Sequence, residues 1–138
     1  MKKINFMQKI KPRDTNIIII YMKRYIVASV AFILLDGIFL WFQRSVFTKQ
    51  LQLIQGETKL KLFGVVFCYA FLLFALNYFI LLPKKSILDA FLLGACIYGV
   101  YEGTTYAILN KWSLSLVMMD TLWGGILFAA ATWIGGLV

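Results

Sequence analysis

The 138-residue chain contains no histidine. That removes the commonest metal ligand, the usual general base and the one side chain that ordinarily titrates near neutral pH. Its two cysteines, Cys68 and Cys96, lie inside apolar runs without a CxxC spacing, so they read as small buried hydrophobes and not as a disulfide or a zinc pair. Charge is scarce as well. Charged residues make up 14% of the chain and hydrophobic residues 62%, against about 25% charged in soluble domains. With a mean hydropathy of +0.82, this composition excludes an ordinary soluble domain and leaves an integral membrane protein. No GxSxG nucleophile motif and no metal triad is present, and no cofactor is expected.

The charge that is present is unevenly signed, with 14 Lys and Arg against 6 Asp and Glu, a formal net charge of +8. The cations collect at the ends of apolar runs, where anionic lipid headgroups supply counter-charge, so membrane lipids and not nucleic acid are the expected partner. Residues 1–24 carry Lys2, Lys3, Lys9, Lys11, Arg13, Lys23 and Arg24 and read as a basic tail in which Pro12 and Asn16 break any long helix. The tail is Lys-rich, unlike Arg- and Ser-rich transit peptides. The apolar run after it exceeds a signal-peptide core and lacks a small-residue cleavage pattern, so it is expected to be retained.

Four runs are long enough to cross a bilayer, at about 25–42, 60–82, 87–109 and 113–137. Residues 25–138 therefore form one membrane domain, an all-α four-helix transmembrane bundle whose short joints make neighbouring helices antiparallel. Between the first two runs, Phe47, Leu51 and Ile54 recur at i, i+4 and i+7. This spacing predicts an amphipathic helix on the membrane surface, closed by Gly56, with a solvated loop as the alternative. Nine Lys and Arg fall on the side of the tail and of Lys84 and Lys85, and five on the side of Arg44, Lys49, Lys59, Lys61 and Lys111. The excess predicts both termini in the cytoplasm.

Asp36, Glu102 and Asp120 each sit inside a separate spanning run that contains no basic residue. An ionised carboxylate there costs about 2.5–3.5 kcal/mol on insertion scales, so such residues usually face a bundle interior and often mark a functional site. Counting about 1.5 Å per residue places all three about 9–11 Å below the outer helix ends, in one layer. The shared depth favours a common polar pocket. The competing reading is that each acid is neutral and ties helices together through Tyr, Trp or Thr. Tyr98, Gly99, Thr105 and Tyr106 share the helical face of Glu102, while Trp123 and Gly124 follow Asp120 by one turn. Gly99 and Gly103 form a GxxxG pair, extended backward by Ala95, that would let another helix approach closely. Arg44, two turns from Asp36, would have to bend inward to meet it and could serve only one of the three. The other acids must hold protons or coordinate a cation. Asn77 reads as a packing hydrogen bond, Asp89 as a complement to a helix dipole, and Trp41 and Trp112 as interfacial aromatics.

The runs MKRYIVASVAFILLDGIFLWF from Met22, YGVYEGTTYAILNKW from Tyr98 and VMMDTLWGG from Val117 resemble the small bacterial membrane proteins of domain-of-unknown-function family 2177, over residues 22–138. The resemblance rests on Leu35 and Asp36, on Tyr101, Glu102 and Thr104, and on Asp120, Trp123 and Gly124. Where the family more usually has Asp followed by Thr-Asn, this chain has Glu102 and Thr104-Thr105, so a ligand needing the amide would bind differently here. The resemblance implies the fold and the site, not an activity. A ligand-binding set of Asp36, Glu102, Asp120, Tyr98, Tyr101, Thr104, Thr105 and Trp123 follows. The leading expectation is a transport component that binds a proton, metal cation or small cationic solute. Four helices are few for a transporter, so a homo-oligomer is expected. An intramembrane lipid-modifying enzyme and an assembly subunit of a larger membrane complex are the alternatives.

Overall fold

The computed structural model describes residues 12–57 and 59–138, with side chains from Thr15 onward. The four N-terminal lysines of the basic tail lie outside the described residues. The first element, α1, is one unbroken helix over Pro12–Gln55. Pro12 occupies its first position, where the missing N–H costs no intrahelical bond, so the proline starts the helix that it was expected to break. Asn16 is carried inside it. At the far end Gly56 adopts φ +76 and its N–H bonds Gln52 O at 3.1 Å, a left-handed stop open to glycine at little cost. The amphipathic segment is thus helical and ends at Gly56 as its spacing predicts. It is not a separate element, because no breaker interrupts the chain between it and the first span.

Three further elements follow: α2 (Leu62–Ala75), α3 (Ile87–Ile108) and α4 (Leu114–Gly135). From Leu76 to Leu81 α2 continues as a π-helical turn, with Leu82 N bonding back to Asn77 O at 2.8 Å and Lys85 N to Ile80 O at 2.8 Å. The Asn77 amide donates to Leu73 O (2.7 Å) and to Ser29 Oγ on α1 (3.1 Å), so this polar side chain draws on the helical ladder and ties α2 to α1, the packing role expected of it. α3 starts with a capping box. Ser86 Oγ accepts from Asp89 N, while Asp89 Oδ2 accepts from Ser86 N, both at 3.0 Å.

All four helices are long and apolar enough to span a membrane, and among the described residues no strand occurs. Only 17–39% of each span's most apolar window is buried inside the protein, so most of the apolar surface faces outward, as a lipid-embedded bundle requires. Packing is unequal. α3 and α4 form the closest pair, α1 lies along α4, and α2 meets α3 through its π-helical end. The core joins Ala28 and Phe32 of α1 to Leu72, Ala75, Leu76, Ile80 and Leu81 of α2, and to Leu127, Phe128 and Ala131 of α4. Phe32 and Phe128 meet edge to face with centroids 5.1 Å apart.

The glycines that set the α3–α4 spacing are not the GxxxG pair. A Cβ at Gly103 would meet nothing within 4 Å, and one at Gly99 would come no closer than 3.3 Å to Thr121 Cγ2. The close approach lies where Gly94 faces the Gly124 carbonyl, with Gly124 beneath the Tyr98 ring and Gly125 against Phe91. Cys68 and Cys96 are exposed on the outer faces of their helices, and not buried as their apolar setting suggested. An apolar run in a membrane span signals lipid contact as readily as core.

Candidate functional site: a buried acid cluster

The α3–α4 contact runs through Gly94 and Gly124, then Tyr98 and Gly124, then Gly99 and Thr121. One turn further the same register brings the Glu102 and Asp120 carboxyls within hydrogen-bonding reach of each other. Asp36 of α1 is close enough to act electrostatically on Asp120 and on the Tyr98 hydroxyl. The relative exposures are 0% for Glu102, 5% for Asp36 and 7% for Asp120. The three acids expected to share a layer are therefore buried together.

Their partners divide them into two groups. Asp36 is satisfied on both oxygens, since Tyr69 of α2 donates to Oδ2 at 2.6 Å and Trp123 of α4 donates to Oδ1 at 3.0 Å. The Trp123 ring is held by stacking on Phe39, with centroids 4.3 Å apart and planes inclined by 7°. Asp36 thus behaves as the interhelical tie of the competing reading, binding α1, α2 and α4. Glu102 differs. Trp112, in the joint between α3 and α4, donates to its Oε2 at 2.7 Å, and Oε1 has no donor among the described residues. The group within reach is the Asp120 carboxyl, which can donate only when it carries a proton.

Among the described residues no cation pairs with the cluster. The Arg44 guanidinium lies over the Trp41 ring, 5.2 Å from its centroid, and the only ion pair among the described residues is Lys59 with Glu57. Among the described residues no three His, Cys, Asp or Glu side chains are disposed to enclose a metal ion.

Of the residues expected at the site, Tyr98 and Trp123 join the acids. Tyr101, Thr104 and Thr105 do not. Tyr101 is 62% exposed, Thr104 is exposed, and the Thr105 hydroxyl donates to Tyr101 O one turn back in its own helix. Glu102 faces α4, so Tyr101 and Thr104, one position before it and two after, are rotated toward lipid, while Thr105, half-buried on the face of Glu102, spends its hydroxyl within its own helix. Two partners were missed. Tyr69 carried no signal beyond being an aromatic in a span. Trp112 matched an interfacial anchor but is only 6% exposed and serves Glu102.

The fold and this cluster define an α-helical membrane protein with four spans and a buried acid centre. A family model described as a predicted membrane protein, DUF2177, matches residues 21–137, and the chain belongs to that family. No curated protein and no solved structure matches it.

Proposed function

We propose that the Glu102–Asp120 pair is a proton-binding site within a membrane transport component, with Asp36 as its structural support. One observation carries this reading: two buried carboxyls lie within hydrogen-bonding reach of each other, and one Glu102 oxygen has no donor among the described residues. Two carboxylates in contact away from water are not both ionised without a proton or cation between them. The disposition of acids favours a proton or one small monovalent cation over a multiply coordinated metal. The reading includes a homo-oligomer, since four spans give little room for a complete pathway. It places the Lys84–Lys85 end in the cytoplasm, following the excess of cations there.

The test is proton movement into liposomes containing the purified protein, followed with an enclosed pH dye under an imposed membrane potential. Glu102→Gln and Asp120→Asn are each expected to abolish the protein-dependent component. Infrared spectra of the same samples should lose a protonated carboxyl band in both variants. Flux and spectra unchanged by both substitutions would remove the proposal.

A further inference from the structure

A cavity of about 290 Å³ opens at the Lys84–Lys85 end, bounded by Arg24 of α1, by Lys85, Ser86 and Ile87 at the start of α3, and by the last turn of α4. Its walls carry two cations, and no acidic side chain among the described residues lines it. The Arg24 Nε is shielded from solvent and has no acceptor among the described residues, an expensive state for a charged donor. α4 ends with Gly135 close against Ala28 and the Arg24 backbone. The last turn of α4 borders the cavity, yet its carbonyls supply no bond to Nε. The Thr132 hydroxyl is committed to Phe128 O at 2.7 Å. Asp89 acts on Lys85, but its carboxylate is engaged by Ser86. Lys84 is turned away, its Nζ over the Tyr21 ring at 5.0 Å.

The rim has the opposite character. Ile87, Trp133 and Leu137 line the opening and are 48%, 56% and 65% exposed. Two cations, half-buried Arg24 and exposed Lys85, beside exposed apolar side chains at the end of the spans suit a molecule with an anionic head and a hydrocarbon tail. We propose that this cavity seats the phosphate of an anionic phospholipid, with Arg24 and Lys85 as its ligands and the acyl chains against Trp133. The apolar rim favours the lipid over free phosphate, which would gain nothing from it.

The test titrates the full chain in mild detergent with short-chain phosphatidylglycerol, short-chain phosphatidylcholine or inorganic phosphate, and reads bound species by native mass spectrometry. Phosphatidylglycerol is expected to bind about tenfold or more tightly than phosphatidylcholine, and Arg24→Gln combined with Lys85→Gln should remove that preference, the scale expected of two cations near a charged headgroup. Lys111→Gln, at the opposite end, should keep it. Equal binding of the two lipids by the unaltered protein overturns the proposal. So does a preference that survives the double substitution in folded protein, or inorganic phosphate displacing phosphatidylglycerol. The lipid comparison needs no variant, and Lys85→Gln alone changes an exposed side chain, so the proposal stays testable if Arg24 proves necessary for folding.

Discussion

Replacing Gly94 by alanine adds a methyl group where α3 and α4 touch backbone to backbone. The new Cβ would fall against the Gly124 carbonyl oxygen, 2.8 Å from Gly124 C and 2.8 Å from Phe128 Cδ2, well inside the 3.4 Å at which ordinary contact begins. Phe128 is fully buried and a peptide carbonyl cannot rotate aside, so the helices must separate by more than half an ångström. Overpacking of this kind costs about 1–3 kcal/mol, sometimes more, while alanine returns about 1 kcal/mol in helix propensity. With the clash against rigid backbone and a buried ring, the upper end of that cost applies, and a net loss of about 2 kcal/mol is expected. Gly103→Ala is the matched control, because its Cβ meets nothing within 4 Å. It keeps the propensity gain, up to about 1 kcal/mol. Reversible unfolding in mixed detergent micelles, followed by circular dichroism, should therefore separate the two variants by about 3 kcal/mol. The reasoning fails if Gly94→Ala is as stable as the parent, or if the two variants are equally destabilised. Because Glu102 and Asp120 are held by the same helix pair, Gly94→Ala should also weaken their contact, whereas Gly103→Ala should leave it unchanged.

Two other perturbations follow from single hydrogen bonds. Trp112→Phe keeps most of the ring but deletes the donor to Glu102; a loss of about 1–2 kcal/mol is expected in the same unfolding assay, and Glu102→Gln in the Trp112→Phe background should cost less than in the parent. Ser86→Ala removes the cap of α3 and should cost about 1 kcal/mol, seen as faster amide exchange confined to the first turn of that helix.

The acids were legible in the sequence because a carboxylate in an apolar run is a local anomaly, and helical rise alone converted position into depth. Their partners were not. The bond from Tyr69 to Asp36 joins residues 33 apart and that from Trp123 to Asp36 joins residues 87 apart, and nothing near either aromatic distinguishes it from others in the spans. Trp112 misled because a tryptophan in a joint satisfies the interfacial rule whether or not its N–H has a partner inside. The GxxxG spacing reports that a close approach is affordable along one face, but the contacting face is set by the partner helix. That partner, α4, presents Gly124 to Gly94 and leaves Gly103 in open space. The extent of α1 was obscured by its polar residues, which look like a loop. A helix stops where the backbone must stop, and between Pro12 and Gly56 nothing compels it to.

At about 1.5 Å per residue α1 is about 66 Å long, roughly twice the hydrocarbon thickness of a bilayer. Asp36 is pinned near its middle by Tyr69 and Trp123. Gln50, whose amide grips the Lys111 carbonyl, stands about 21 Å to one side of that pivot, and Arg24 about 18 Å to the other. On the Arg24 side of that point Ala28 and Phe32 are fully buried and Ser29 accepts from Asn77, so this half of the rod is packed along its length, and one continuous helix carries that anchorage to the Gln50 end.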